Sequence, residues 1–246
     1  MDRIFYFSST GNSLYIAKRI GERFGASPAY IPKVKERAIE ADRITVVSPI
    51  YSFGLPVHVY DFLTELKTKA KLYVVLNYGG TVSGADRLTY DLCAAHGLDV
   101  RAVFTVKMVE NFTLDFTVPK FYGAMTLKKA PARIDAVIDR IERGEAFSPK
   151  TKTDKRAVYE KNKSNWFEIG RRFTVSDDCV LCGKCVAVCP AGNISVQAGK
   201  IVFGEKCVAC LGCYHRCPKK AIRYRNRYKK DRYICPLIDE AEIGKA

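Results

Sequence analysis

Nine of the ten cysteines in this 246-residue chain fall between positions 179 and 235. Eight of them form two runs, CVLCGKCVAVCP at 179–190 and CVACLGCYHRCP at 207–218. Both runs read C-x2-C-x2-C-x3-C-P, and they superpose at an offset of 28 residues that also pairs Ile194 with Ile222. An internal repeat of this kind predicts two structural units that serve the same purpose.

The spacing of these thiols indicates metal binding rather than disulfide bonds. The chain begins with Asp2 and Arg3 and then a strand pattern, so no secretory signal is predicted and we expect a cytoplasmic location, where disulfides are rare. Structural zinc is the plain alternative, but zinc sites use two C-x2-C pairs set well apart. Three thiols in series with a fourth before a proline favour an iron–sulfur cluster.

Residues 174–226 resemble bacterial-type ferredoxins that carry two [4Fe–4S] clusters. In those proteins the fourth cysteine of each run binds the other cluster. The resemblance therefore implies two ligand sets: Cys179, Cys182, Cys185 and Cys217 for cluster one, and Cys207, Cys210, Cys213 and Cys189 for cluster two. Each run leads into a β-prone stretch, and a turn is predicted at residues 198–199.

The sequence gives weaker evidence of a functional role for two cysteines outside the runs and for one histidine inside them. Cys93 shares a predicted helix face with Leu88 and Leu92, as a small core residue does. Cys235 precedes a proline; an extra ligand or redox thiol is the functional alternative, but with eight ligands assigned we interpret it as a packing residue. His215 is able to tune a cluster by hydrogen bonding, although we favour a solvated loop histidine.

The first 147 residues alternate strand and helix signals. Buried strands are predicted at residues 4–7, 29–31, 44–47, 72–76 and 100–106. Helices are predicted between them, and the last one has apolar residues at i, i+3, i+4 and i+7: Ile134, Val137, Ile138 and Ile141. Five strands alternating with helices predict a doubly wound, mostly parallel α/β sheet. The longest uncharged run, residues 44–60, contains two prolines and a glycine, so no membrane span is expected.

The chain divides into four predicted parts: residues 1–147, an α/β domain; 148–172, a linker; 173–236, a small α+β domain with the cysteine runs; and 237–246, a C-terminal tail. The linker is rich in lysine and ends in an apolar stretch around Trp166 and Ile169. Two interpretations are open for this stretch. It either docks one domain on the other or begins the second core.

The loop after the first strand, residues 8–13 with the sequence SSTGNS, has the chemistry of a phosphate site. It offers hydroxyls, backbone N–H groups and the positive end of a helix, and it contains no lysine. The chain has neither GxxxxGK[ST] nor GxGxxG, so neither a nucleoside triphosphate nor a dinucleotide is indicated. A phosphomonoester fits, although helix capping explains the same residue types. The candidate residues are Ser8, Ser9, Thr10, Gly11, Asn12 and Ser13.

With this loop after the first strand, residues 1–147 resemble flavodoxins, which bind FMN. Two more loops fit, SPIYSFGLP at 48–56 and NYGG at 77–80, since ligands of such sheets lie beyond the carboxyl ends of the strands. The resemblance implies that these loops flank the flavin ring with Tyr51, Phe53, Gly54, Asn77, Tyr78, Gly79 and Gly80. Aromatic faces would stack on the ring, and Gly54 would let a peptide flip toward it. Turn chemistry and core packing explain the same residues without a ligand.

The two resemblances together predict a flavodoxin–ferredoxin fusion of a kind typical of anaerobes. We expect an oxidoreductase that passes electrons among FMN, two [4Fe–4S] clusters and an external redox protein. A flavin-dependent reductase of a small substrate is the alternative, and clusters with a purely structural role are a third. Residues 111–127 look inserted relative to simple flavodoxins, and we interpret them as facing the second domain.

The charge of the chain bears on its partners. The formal net charge is +15, which predicts an acidic redox partner. The basic stretch at residues 223–233 offers a nucleic-acid interface as a competing hypothesis. We disfavour it, because cations beside two anionic clusters explain the same stretch. The sequence sets no oligomeric state.

Overall fold

Five apolar segments form one parallel sheet in the computed structural model of the chain, which describes residues 1–114, 117–227 and 231–245. The strands are β1 (Asp2–Tyr6), β2 (Pro28–Tyr30), β3 (Arg43–Pro49), β4 (Lys71–Tyr78) and β5 (Val100–Lys107). Their spatial order is β2-β1-β3-β4-β5, so the predicted doubly wound sheet is confirmed. Val46 and Val74 pair in register and are fully buried, as expected where helices cover both faces of a parallel sheet.

Five helices accompany this sheet: α1 (Asn12–Phe24), α2 (Val57–Glu65), α3 (Ala85–Ala95), α4 (Lys120–Lys128) and α5 (Ala130–Glu142). The apolar stripe predicted for the last helix is buried along α5. Helix α4 lies in the predicted insertion and was missed by the sequence pattern. Its apolar side chains Phe121, Tyr122 and Met125 are exposed, so they form no stripe that faces a core.

The predicted linker contains two further helices, α6 (Arg156–Ser164) and α7 (Phe167–Arg171). Between them, Trp166 is buried and packs in one cluster with Tyr159 and Ala209. Its ring also meets that of Tyr51 edge-on, with centroids 6.1 Å apart. Trp166 therefore docks the two parts of the chain on each other, whereas Phe173 belongs to the core of the second part. The apolar stretch thus docks one domain on the other through Trp166 and begins the second core at Phe173.

The second part is built from short elements: β6 (Phe173–Val175), α8 (Lys184–Ala187), β7 (Ile194–Gln197), β8 (Lys200–Phe203), α9 (Gly212–His215) and β9 (Ile222–Tyr224). Strands β7 and β8 form an antiparallel hairpin around the predicted turn at residues 198–199. Strand β6 pairs antiparallel with β9, which joins the start and the end of this part. Leu114 from the insertion is buried in its core, so the insertion contacts the second part as we expected.

The last residues of the chain cross both parts. Glu242 pairs with Lys18 on α1, with the carboxylate oxygen 2.9 Å from Nζ. Glu240 accepts a hydrogen bond from Arg216, just beyond α9. Residues 237–245 thus fasten the small part to the sheet. In the part of the chain that the structure describes, no helix combines the length and the apolar character that a membrane span requires.

Candidate functional site

The two cysteine runs fold into loops with the same backbone conformation. Leu181 and Ala209, which are 28 residues apart, have φ angles of 53° and 56°. The next matched pair, Gly183 and Leu211, has φ angles of 72° and 59°. The left-handed region is costly for residues with a side chain, so it persists where the surroundings require it. The two loops have left-handed conformations at matched positions, which indicates that both serve the same function.

The thiols surround two small cavities in the crossed arrangement that the resemblance implies. One cavity is lined by the set assigned to cluster one: Cys179, Cys182, Cys185 and Cys217. The other is lined by the set assigned to cluster two: Cys189, Cys207, Cys210 and Cys213. Among the described residues, no group of three or more His, Cys, Asp or Glu side chains closes on a point suited to a single ion. Four thiols at each cavity match the number of ligands that a [4Fe–4S] cluster takes.

Backbone N–H groups point at the fourth cysteine of each run. The N–H of Asn193 donates to Cys189 Sγ at 3.3 Å. The N–H of Ala221 donates to Cys217 Sγ, also at 3.3 Å. These donors are again 28 residues apart. Hydrogen bonds of this kind stabilise thiolates and are among the features that set cluster potentials.

The two sets of thiols differ in their exposure to solvent. Cys210 and Cys213 are buried, whereas Cys182 is exposed. Burial raises the pKa of the Cys210 thiol to about 12 and that of Cys213 well above its usual value. Thiols with raised pKa values bind metal as thiolates only when the cation offsets the cost of burying their charge. The second site is therefore the interior one, and the first lies near the surface.

A cavity of about 320 Å³ lies at the carboxyl ends of the parallel strands. The loop after β3 contributes Tyr51 and Phe53. The end of β4 contributes Asn77 and Tyr78, and the loop after it contributes Gly79 and Gly80. These are the predicted ring-side residues apart from Gly54. The opposite wall comes from the second cysteine loop, with Ala209, Cys210 and Leu211. The cavity thus lies between the two parts of the chain.

Residues 8–13, which we call the phosphate loop, are buried beside this cavity, and Asn12 is the one among them that lines it. Three of their hydroxyls accept hydrogen bonds from the protein. Ser8 accepts from the N–H of Gly11 at 2.9 Å, Thr10 from Asn111 Nδ2 at 2.7 Å, and Ser13 from Asn77 Nδ2 at 2.7 Å. A hydroxyl that accepts keeps its own proton to donate. All three are therefore prepared to donate to an anion.

Backbone donors complete this set. The N–H groups of Asn12 and Ser13 open α1 and have no hydrogen-bond partner within the described residues. Such groups at a helix start carry partial positive charge and bind phosphates. Gly11 has a φ of 101°, a conformation that suits glycine and turns the chain into the helix. The donors of the loop are of the kind that a phosphomonoester requires, and the phosphate site stays a prediction.

Two predicted residues have different surroundings from those expected. Ser9 Oγ donates to the carbonyl of Cys210 at 2.6 Å, so its proton is used within the chain. Gly54 does not line the cavity. A Cβ at this position would lie 2.4 Å from the ring of Tyr159, and both its backbone groups bond to Tyr51. The structure thus gives Gly54 a packing role, and the expected peptide flip stays a prediction.

Glu110, which the sequence pattern did not single out, holds two walls of the cavity together. One carboxylate oxygen accepts from the N–H of Phe112 at 2.8 Å, and the other from the N–H of Gly80 at 3.2 Å. It is the one charged side chain among the described residues that line the cavity. A Cβ on Gly79 would lie 2.2 Å from the Cα of Glu110, so glycine is required for this close approach.

The expectation of a solvated His215 is wrong. This side chain is 4% exposed, and burial lowers its pKa to about 4. Its Nε2 lies 2.8 Å from the carbonyl oxygen of Asn111, and its Nδ1 accepts from the N–H of Tyr233 at 3.2 Å. Sequence could not indicate this burial, because the residues that cover His215 come from distant segments.

Comparison with known proteins agrees with both halves of this description. Residues 3–91 match a family model described as a flavodoxin domain, and residues 178–222 match one described as a 4Fe-4S dicluster domain. The polyferredoxin protein MvhB of Methanothermus fervidus is 36% identical over 50 residues, which are 20% of this chain and 12% of that protein. The chain thus spans only a small share of the length of this curated relative.

Among solved structures, a flavodoxin from the domain Archaea is 16% identical, with a TM-score of 0.40 over 58% of this chain and 99% of that chain. The rubredoxin oxygen:oxidoreductase of Desulfovibrio gigas is 14% identical, with a TM-score of 0.38 over 58% of this chain and 36% of that chain. The two matched domain types share a redox role in electron transfer. The chain therefore joins a flavodoxin domain to a 4Fe-4S dicluster domain as a flavodoxin–ferredoxin fusion.

Proposed function

We propose that this protein transfers electrons among FMN, two [4Fe–4S] clusters and an external redox protein. One observation carries the proposal: the second cysteine loop forms a wall of the cavity that the flavodoxin loops open at the sheet. Cys210, a ligand assigned to cluster two, is therefore a neighbour of whatever fills that cavity. Bound FMN would supply one- or two-electron chemistry, and each cluster would supply single electrons.

The residues of the cavity support FMN as its occupant. Tyr51 and Phe53 offer aromatic surface for a flat ring, and Tyr78 borders the same space. The hydroxyls of Ser8, Thr10 and Ser13 keep protons that a phosphate oxygen accepts. No cation is needed in this loop, because the first turn of α1 supplies the positive field.

The contact between the domains supports direct transfer rather than collision of separate carriers. Ser9 on the phosphate loop bonds the Cys210 carbonyl, and Trp166 packs against both parts. Holding two redox sites on one chain replaces a bimolecular encounter with a fixed distance. The domain boundaries of the sequence analysis are part of this proposal, with residues 156–171 acting as a docking element more than as a linker.

Reduction of a small substrate at the flavin is less well supported than electron exchange with a protein. Glu110, the charged residue of the described cavity lining, has both oxygens engaged by backbone N–H groups. It is therefore occupied as an acceptor and is poorly prepared to donate a proton. An external redox protein is the better-supported partner, and the positive charge of the chain favours an acidic one.

The basic stretch at residues 223–233 supports an internal role more than binding of nucleic acid. Arg223 lies 3.5 Å from a carboxylate oxygen of Asp178. Arg232 stacks over the ring of Tyr214, with its Cζ 3.4 Å from the centroid, and donates to the Ile222 carbonyl. Residues 228–230 of the stretch lie outside the described residues. Arg223 and Arg232 are thus engaged within the chain, whereas Arg225 and Arg227 are exposed.

The experiment that tests the proposal is anaerobic purification followed by assay of iron, sulfide and released flavin. About eight iron, about eight sulfide and about one FMN per chain are expected from two cubane clusters and one flavin. Zinc in place of iron, or absence of flavin from a protein reconstituted with FMN, would overturn it.

Matched cysteine variants of the anaerobically purified protein test the crossed ligand sets by spectroscopy. Cys217→Ser and Cys185→Ser should perturb the electron paramagnetic resonance signal of one cluster, and Cys189→Ser that of the other. Cys93→Ser is the control, because this thiol is buried in the sheet domain and should leave the iron content unchanged. Loss of the same signal from all three ligand variants would contradict the assignment.

A further inference from the structure

A circuit of hydrogen bonds connects His215 on α9 to both sides of the phosphate loop. On one side, His215 bonds the carbonyl of Asn111, and the Asn111 side chain donates to Thr10 Oγ1 at 2.7 Å. On the other side, the N–H of Tyr233 donates to His215, and the Tyr233 hydroxyl donates to Asn12 Oδ1 at 2.6 Å. We call these residues, namely Thr10, Asn12, Asn111, His215 and Tyr233, the loop circuit.

The circuit fixes one tautomer of His215. A backbone N–H can only donate, so the Nδ1 that faces Tyr233 must accept. The ring proton is therefore on Nε2, where it is donated to the Asn111 carbonyl at 2.8 Å. Both ring nitrogens are used, and each arm of the circuit leads away from the imidazole to a different residue of the phosphate loop.

At the loop, the circuit holds groups that a phosphate would meet. The Asn111 side chain donates to a lone pair of Thr10 Oγ1. The hydroxyl of Thr10 therefore still has its own proton to donate. The Asn12 side chain is held from both ends, since it accepts from Tyr233 and donates to the Val109 carbonyl at 2.9 Å. Its backbone N–H, at the start of α1, is thereby kept in place.

The segment that carries Tyr233 also covers the outer side of the loop. The N–H of Cys235 donates to the Thr10 carbonyl at 2.8 Å. The side chain of Ile238 lies against Gly11, where an added Cβ would be 2.5 Å from its Cδ1. Residues 8–13 are thus held by two distant segments of the chain, one at Asn111 and one at residues 233–238. His215 bonds to both of these segments.

We propose that His215 is a positioning residue for the flavin phosphate, acting through Asn111 and Tyr233 on Thr10 and Asn12. The inference rests on the proposed binding of FMN. It makes capture of the phosphate depend on the iron–sulfur part of the chain, because His215 lies between Cys213 and Cys217 of the second cysteine run. A flavodoxin domain without that part would lack a portion of its own phosphate site.

The test compares FMN with riboflavin, which has the same ring and no phosphate. Flavin-free protein with intact clusters is titrated with each flavin, and binding is followed by flavin fluorescence. His215→Phe, which keeps an aromatic ring and removes both hydrogen bonds, should raise the dissociation constant of FMN about five- to tenfold. The dissociation constant of riboflavin should stay unchanged, because His215 itself does not line the cavity and riboflavin has no phosphate.

Two variants test the arms of the circuit at a distance from the thiols. Asn111→Ala keeps the carbonyl that His215 bonds and removes the donor to Thr10, and Tyr233→Phe removes only the hydroxyl that bonds Asn12. Each should weaken FMN about fivefold and riboflavin much less, since Asn111 also lines the cavity but riboflavin has no phosphate. If His215→Phe loses iron, these two variants still test the inference, because neither residue lies in a cysteine run. His96→Phe, on the exposed end of α3, is the control and should change neither constant.

Two results would overturn the inference by itself: FMN affinity that is unchanged in all three circuit variants, or equal weakening of FMN and riboflavin, which would indicate a general structural role. A wild-type protein that binds neither flavin is a different outcome. It would overturn the proposed function, and this inference with it.

Discussion

The two cysteines outside the repeat are buried, and their burial suppresses their chemistry. Cys93 is fully buried under the sheet, and burial raises its pKa to about 12. Cys235 is fully buried beside the phosphate loop, and burial raises its pKa as well. The thiolate is the reactive form of cysteine, so both residues should be inert in the folded protein. This supports the packing role that the sequence led us to expect.

Thiol labelling tests this account. In anaerobic, cluster-loaded protein at pH 8, iodoacetamide should modify neither Cys93 nor Cys235. A pKa near 12 leaves about one Cys93 thiol in ten thousand ionised, and burial both raises the pKa of Cys235 and shields it from the reagent. Both should react fully after denaturation, as located by peptide mass spectrometry. Rapid labelling of Cys235 in the folded protein would instead favour a redox thiol at that position.

Single residues also mark the limit of sequence reasoning. The cysteine ligands were predictable because their spacing is itself the signal. His215 was not, because its position in the first run is occupied by Ala187 and its partners lie far away in the sequence. Glu110 was likewise missed, since its role depends on a loop thirty residues earlier that approaches it in space. Contacts between distant segments leave no local pattern.

At the scale of elements, the segment from α6 to α7 does more than its composition indicates. It is rich in lysine and reads as a linker, yet Tyr159 is buried and its hydroxyl bonds the Leu55 carbonyl at 2.9 Å. Trp166 and Ile169 line the cavity. The strands and the helix α5 were predictable because their apolar residues follow a regular period. Helices α6 and α7 are short and meet two domains at once, so no single stripe identifies them.

The position of Trp166 gives a direct optical test. It is the one tryptophan of the chain and lines the cavity proposed for FMN. Its emission should therefore fall on titration of flavin-free protein with FMN, through contact with or energy transfer to the ring. Riboflavin should quench it to a similar final level, because the quenching group is the shared ring. Unchanged tryptophan emission at saturating FMN would contradict placement of the flavin in this cavity.

At the scale of the whole molecule, the C-terminal residues hold the two redox domains together. Glu240 meets Lys184 on α8 and Arg216 beyond α9, with oxygen–nitrogen distances of 2.5 and 3.2 Å. The neighbouring Gly244 N–H donates to the Tyr6 hydroxyl on β1 at 3.3 Å. Burial raises the pKa of Glu240, but the hydrogen bonds and the positive charges of Lys184 and Arg216 together hold it below its ordinary value. The carboxylate is therefore charged at neutral pH and stabilises the folded chain.

Glu240→Gln should destabilise the folded protein at pH 7 by about 1–2 kcal/mol, because Arg216 is 9% exposed and loses its charged partner while Glu240 itself is one-third exposed. For a chain of this size the thermal midpoint should fall by about 2–8 °C. The pKa of Glu240 is lowered, so the stability it contributes is present above the pKa of an unfolded glutamate. That contribution is lost as the pH falls through the folded value, and the variant should then match the wild type.

Anaerobic thermal unfolding, followed by the visible absorbance of the clusters and by far-ultraviolet circular dichroism, measures this effect. Glu205→Gln is the matched control, since its carboxylate is 77% exposed and pairs with Arg171 at the surface. It should shift the midpoint little. Because Glu240 bridges α8 and the end of α9 to the tail that reaches β1, its loss should also separate the cluster transition from that of the sheet. An unchanged midpoint, or equal shifts in both variants, would show that the tail lies on the domains without holding them together.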